Sequence, residues 1–225
     1  MLARFACWRN ASVEMAAEST VGERAPAIKA VIFDVGGVLI QTVDRSALCR
    51  WEARLGLREG ELAREVFSCP ASWRASIGLA TGADVWMELA CLFRLHANEV
   101  RELAQDVFAA EAVDEAMAAF VASLRPRYRT ALLSNAWPEA RNSLHERCGL
   151  GEVADMLILS CEERLMKPDT RLYHLAAERL GGAPEEALFV DDSLANGEGA
   201  HDAGLRAYHY TTREAALRDL AALLP

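Results

Sequence analysis

Residues 28–34 read IKAVIFD, a run of β-branched and aromatic side chains with almost no polar break, closed by Gly36 and Gly37. Strands with one wet face alternate polar and apolar residues. A strand that is apolar throughout is buried on both faces, and that is the habit of parallel sheets covered by helices on either side. Four later stretches also read as strands: 128–134 YRTALLS, 155–160 DMLILS, 187–191 ALFVD and 205–210 LRAYHY. Helical spacing at 139–147, 169–180, 196–203 and 213–223 separates or follows them. Strands alternating with helices require right-handed crossovers, and so a three-layer α/β fold of the Rossmann-like kind.

Residues 44–125 break this rhythm. Segments such as EGELAREVF, DVWMELACLFRL, ANEVRELAQDVF and DEAMAAFVASL are rich in good helix formers at helical spacing, and no strand is evident among them. The expectation is a core over 28–43 and 126–225, interrupted by an inserted helical cap over 44–125. Residues 1–27 read as a disordered lead-in, with Met15 an alternative start.

Composition narrows the partners. The 225 residues carry 24 Lys and Arg against 33 Asp and Glu, a net charge of −9, which argues against nucleic acid. No apolar run is long enough to cross a membrane, and Glu14 and Glu18 in the N-terminal stretch argue against a secretory signal. None of the six cysteines forms a CxxC pair, so neither a zinc site nor a disulfide framework is expected. A cytoplasmic monomer or homodimer acting on a small molecule is the expectation.

Ligands of parallel α/β sheets gather at the carboxyl ends of the strands. Here those ends carry Asp34, then Ser134 and Asn135, then Lys167 in CEERLMKPD, then Asp191 and Asp192. Singly, each has a plain structural explanation: a turn acid, a loop start, a solvated lysine ahead of a helix capped by Asp169. The adjacent acids Asp191 and Asp192 repel each other unless a cation is present. As a set, carboxylates suit Mg²⁺, a lysine and a hydroxyl suit phosphate, and Asp can form an acyl-phosphate.

With these residues in view, the chain resembles the haloacid dehalogenase superfamily over about residues 28–210. FDVGGVL, LLSN, MKPD and FVDDS stand in that family's order, and the helical block resembles its helical cap. The likeness is strongest to the branch that includes sugar-phosphate phosphatases and the phosphatase half of some epoxide hydrolases. It implies a Mg²⁺-dependent phosphatase with Asp34 as nucleophile and metal ligand. Gly36 would lend its carbonyl to the metal, and Ser134 and the Asn135 amide would hold phosphoryl oxygens. Lys167 would orient Asp34. Asp192 would be the main further ligand, with Asp191 beside it, and Asn196 falls where relatives often carry an acid.

Two departures stand out. Relatives usually have an aspartate two residues after the nucleophile, as general acid and base; here it is Gly36. A positioned acid–base group contributes ~10²–10⁴-fold, so a substrate with a good leaving group is favoured unless water or a cap residue acts instead. Arg164 stands where relatives often have glycine, and reads as solvated. Trp137 is expected to line the entrance and Trp86 to pack internally, while Trp73 and Arg74 are weaker candidates for facing the site.

Two alternatives stay open: a 2-haloacid dehalogenase using Asp34 without metal, and a non-catalytic phosphate binder. A phospho-accepting receiver domain fits badly because the acid pair comes last. GGVLIQ is not the GxGxxG of a dinucleotide site.

Overall fold

A computed structural model describes residues 26–224, so all but the last two residues of the expected lead-in lie outside the described residues. The chain runs β1 (Ala30–Phe33), β2 (Ile40–Thr42), α1 (Ser46–Leu55), α2 (Glu61–Ser68), α3 (Pro70–Ser76), α4 (Gly82–Phe93), α5 (Ala97–Ala109), β3 (Glu111–Val113) and α6 (Glu115–Ser123). It continues with β4 (Arg129–Ser134), α7 (Ala140–Asn142), β5 (Met156–Leu159), α8 (Ser160–Glu163), α9 (Thr170–Arg179), β6 (Ala187–Asp191), α10 (Leu194–Asp202), β7 (Arg206–His209) and α11 (Arg213–Leu223). The helix expected at 139–147 is α7 followed by one π-helical turn, Ser143–Arg147.

Five strands form one parallel sheet in the order β5-β4-β1-β6-β7. The double-faced burial expected of β1 is literal. Val31 and Phe33 pack on one face with Met117, Val121, Leu132 and Leu220. Ala30 and Ile32 pack on the other with Leu172, Ala176, Phe189 and Ala200. Helices α6 and α11 therefore cover one face and α9 and α10 the other, giving three layers. From β1 the chain moves outward through β4 and β5, then returns to the far side of β1 for β6 and β7. Reversal of strand order opens a crevice at the carboxyl ends of the central strands.

Helices α1 to α5 leave the sheet after β2 and return at β3. They bury an apolar set of their own that includes Leu48, Trp51, Leu62, Val66, Leu89, Leu103 and Val107. The end of the block expected over 44–125 differs from the helical reading. Glu111–Val113 is a strand, paired antiparallel with β2 in the register Ile40 to Val113 and Thr42 to Glu111. Helix α6 buries Met117, Ala118 and Val121 against the sheet rather than among α1 to α5. The cause is non-local: Glu and Ala have no strand preference of their own, and three residues pair here because β2 presents its edge to them.

Candidate active site

Strand β1 delivers Asp34 to the crevice, where the residue is 7% exposed. One oxygen, Oδ1, accepts the Val35 N–H at 2.6 Å and the Lys167 ammonium at 2.6 Å. Oδ2 has no hydrogen bond among the described residues. Lys167 reaches in from the loop after α8, is 3% exposed, and donates also to Asp191 Oδ2 at 2.8 Å. Its Nζ lies 5.5 Å from the centroid of the Phe189 ring. A buried lysine survives charged only when paired, and here two carboxylates pair it. Their field outweighs the burial that opposes it, and holds the lysine above its ordinary range.

Asn135, at the end of β4, fixes the loop that carries this lysine. Its Oδ1 accepts the Lys167 N–H at 2.8 Å and its Nδ2 donates to the Lys167 carbonyl at 3.1 Å. The side-chain amide is thus spent on the protein, and only the main chain of Asn135 is left to face a ligand. Ser134 beside it is buried, its hydroxyl only 3.5 Å from the Asn135 carbonyl oxygen.

The two acids at the end of β6 differ in surroundings. Asp191 is 2% exposed and fills both oxygens: Oδ1 with the Ser193 N–H at 2.7 Å and Asn196 Nδ2 at 3.1 Å, Oδ2 with Lys167 and Asn196 Nδ2 at 3.0 Å. Asp192 is the exposed member. Its carboxylate lies over Gly37, where an added Cβ would stand 2.2 Å from Asp192 Oδ2. Gly37 has φ +77°, a conformation glycine adopts at no steric cost. Oxygens of Asp34, Asp191 and Asp192 all lie within 4.8 Å of one another.

Burial pushes the Asp34 carboxyl up to about 7, against the pull of Lys167 and with the help of Asp191. Burial, then Asp191, likewise raises Asp192. Three carboxylates share one ammonium, so the cluster is short of positive charge. An all-oxygen donor set with a charge deficit fits a hard divalent cation such as Mg²⁺.

Other expected residues fall elsewhere. Trp137 is half-buried against the helical insertion. Its ring packs against Phe67, Trp86 and Phe108 from the helical insertion, at centroid distances of 5.7 to 6.3 Å, and Nε1 donates to the buried Ser72 hydroxyl at 3.1 Å. Trp86 packs internally, as its spacing predicted. Trp73 is exposed, and Arg74 pairs with Glu88 at 3.7 Å. Arg164 is exposed, with φ +55°, which accounts for a position where glycine fits easily.

Sequence reasoning missed Ser193, whose N–H holds Asp191, and the bonding role of Asn196. It also missed Glu139, which accepts the Gly82 N–H at the start of α4 at 3.1 Å. The Ser193-to-Asn196 spacing of a helix cap was the available signal for the first two.

This arrangement, an acid ending the central strand with a lysine and an acid pair converging on it, agrees with the sequence match. Residues 28–204 match the haloacid dehalogenase-like hydrolase family, and the chain belongs to that family. It is 26% identical over 213 residues to bifunctional epoxide hydrolase 2 of Sus scrofa, covering 86% of this chain and 38% of that protein. Over 91 residues it is 37% identical to a phosphoserine phosphatase of Thermus thermophilus, covering 40% of this chain and 36% of that one. The chain thus spans well under half the length of these curated relatives.

Among solved structures, a family enzyme of Bacteroides thetaiotaomicron in complex with magnesium and inorganic phosphate superposes with a TM-score of 0.68 at 21% identity, over 83% of this chain and 96% of that one. The L-2-haloacid dehalogenase of Xanthobacter autotrophicus superposes with a TM-score of 0.61 at 28% identity, over 87% and 83%. The chain has an α/β fold with a parallel central sheet, and no helix of the described residues is long and apolar enough to cross a membrane.

Proposed function

We propose that the chain is a Mg²⁺-dependent phosphatase of small phosphate monoesters that works through an aspartyl-phosphate on Asp34. The observation that carries this reading is the charge deficit around Asp34: three carboxylates whose oxygens lie within 4.8 Å of one another and one lysine. A dianionic phosphate cannot approach such a cluster unless a cation offsets the repulsion. Two of the acids that create the deficit, Asp34 and Asp192, are the ligands that would hold the cation. In the bound state Mg²⁺ would neutralise charge and polarise the phosphoryl oxygens.

The chain's own residues divide the remaining work. Asp34 Oδ2 is the oxygen left to attack phosphorus, because Oδ1 is held by Lys167 and the Val35 N–H. Lys167 fixes the angle of that carboxylate and contributes one positive charge. Asp34 and Asp192, with the Gly36 carbonyl, would hold the cation. Asp191, its oxygens filled by Lys167, Ser193 and Asn196, would act chiefly by positioning the lysine. The Ser134 hydroxyl and the main-chain amide of Asn135 would take phosphoryl oxygens. The helical insertion, anchored through Trp137, would act as the cap that closes over a small substrate, in a cytoplasmic protein.

The related reading, a metal-free 2-haloacid dehalogenase, is favoured by the likeness to the Xanthobacter enzyme but disfavoured by the acids. A haloacid carboxylate would meet net negative charge with nothing to offset it. Purified protein is expected to release phosphate from para-nitrophenyl phosphate, with loss of activity on adding EDTA and in Asp34→Asn. Full activity in Asp34→Asn would sink the proposal. Chloride release from 2-chloropropionate without Mg²⁺ would replace it with the alternative.

A further inference from the structure

Tyr173 stands in the first turn of α9, six residues past Lys167, and is 0% exposed. Its surroundings are the apolar layer under the sheet, with Ile32, Leu133, Ile158 and Ala200. Phenylalanine would fill such a place without burying a hydroxyl, and a buried hydroxyl is costly unless it is bonded. Here it is bonded: Tyr173 donates to the main-chain carbonyl of Asn196 at 2.8 Å. Burial, then the nearby Asp191 and Asp34, hold the phenol above its ordinary range, so it stays a donor. The ring meets Phe189 edge to face, with centroids 5.2 Å apart.

Both contacts lead to Lys167. Asn196 lies in the first turn of α10, and that turn supplies the Ser193 N–H and the Asn196 amide that hold Asp191. Asp191 in turn receives the lysine on Oδ2. Phe189 is the ring that faces the same ammonium. Helix α10 also rests on the loop that bears the lysine: a Cβ added at Gly199 would stand 2.5 Å from the Pro168 carbonyl oxygen. Asn135 grips this loop by the Lys167 main chain. The lysine backbone is thereby fixed, but its flexible four-carbon stem is not. The direction of that stem depends on Asp191 and Phe189, and Tyr173 touches the supports of both.

We infer that Tyr173 is a positioning residue for Lys167: its hydroxyl pins the first turn of α10 and its ring backs Phe189, which together aim the ammonium at Asp34 Oδ1. The kinetic part of the test rests on the phosphatase reading above. Release of the α10 turn would let Asp191 swing, the ammonium would follow, and Asp34 would lose the angle that leaves Oδ2 free. Misplacing a reacting group by about 1 Å costs up to about 10²-fold.

Tyr173→Phe keeps the ring and removes the hydroxyl; Tyr173→Leu removes both. With Mg²⁺ and para-nitrophenyl phosphate, Tyr173→Phe is expected to lower kcat about 10-fold, and Tyr173→Leu further. KM should change little, because Tyr173 touches none of the groups assigned to the phosphate. Wild-type kcat in Tyr173→Phe, whatever its Tm, would reduce the tyrosine to packing and overturn the inference. A second arm needs no hydrolysis: urea unfolding of Tyr173→Phe, Lys167→Met and the double variant. No hydrogen bond joins the two side chains among the described residues, and the ring contact is kept, so they couple only through α10 and Asp191. The double variant is expected to lose less than the two single losses added together; strict additivity would refute the positioning role. Wild-type protein that hydrolyses no ester, or does so without Asp34, would remove the phosphatase reading and leave the unfolding cycle to decide this one.

Discussion

Gly37→Ala separates backbone geometry from cation binding at this site. Alanine at φ +77° costs about 1–2 kcal/mol in the left-handed region. In a chain of this size that lowers Tm by roughly 2–8 °C. Its Cβ would also stand 2.2 Å from Asp192 Oδ2 and 2.6 Å from Cγ, so one of the two must move. The carboxylate is the free end of a side chain and turns more cheaply than the backbone of the turn that follows β1. The variant should therefore fold, with Asp192 swung away from Asp34. If Asp192 is a direct ligand, Mg²⁺ affinity measured by titration calorimetry should fall ~10-fold or more, about 1.4 kcal/mol. The same change made on Asp192→Ala should cost only the backbone strain, so the pair should couple by about 0.5–3 kcal/mol. Wild-type Mg²⁺ affinity in Gly37→Ala, or simple additivity with Asp192→Ala, would refute the argument that this close approach sets the ligand.

Lys167→Met should destabilise in urea unfolding at neutral pH by up to about 3–5 kcal/mol, because it takes from the buried acids Asp34 and Asp191 the ammonium that pairs them. Acidification should return part of the loss, and a neutral effect would show that the pairs carry no weight. The raised carboxyl of Asp34, at about 7 against an ordinary 3.8, gives a second test in metal-free protein. The native state holds this proton more tightly than the unfolded chain does. The Asp34 contribution to stability is therefore present below about pH 4, declines as pH rises toward about 7, and is level above that. Asp34→Asn should lack this decline, so its Tm should gain on the wild type across that interval. Parallel profiles would contradict the placement.

The central strands β1, β4 and β6 were legible because burial on both faces leaves an apolar run that needs no partner to be recognised. The half-exposed edge strands β5 and β7 were legible from their place in the strand–helix alternation, and all five stand within two residues of their expected ends. Glu111–Val113 was not legible, because its strand character comes from pairing with β2, some seventy positions earlier. Trp137 shows the same limit at a side chain. Its position after Ser134 suggested an entrance, but its neighbours come from α2, α4 and α5, which spacing along the chain does not reveal.

The acids make the sharper case. Asp191 and Asp192 are indistinguishable as letters, and both were expected at the metal. Successive residues at a strand end face different surroundings. Asp191 falls on the side where Lys167, Ser193 and Asn196 converge, while Asp192 falls over Gly37. A carboxylate with three donor groups on its oxygens has little left for a cation, and one lying above a bare glycine has nearly all of it. The Gly-Gly pair after Asp34 is accordingly two devices. Gly37 has no side chain because Asp192 needs the room. Gly36 has none although the room is there.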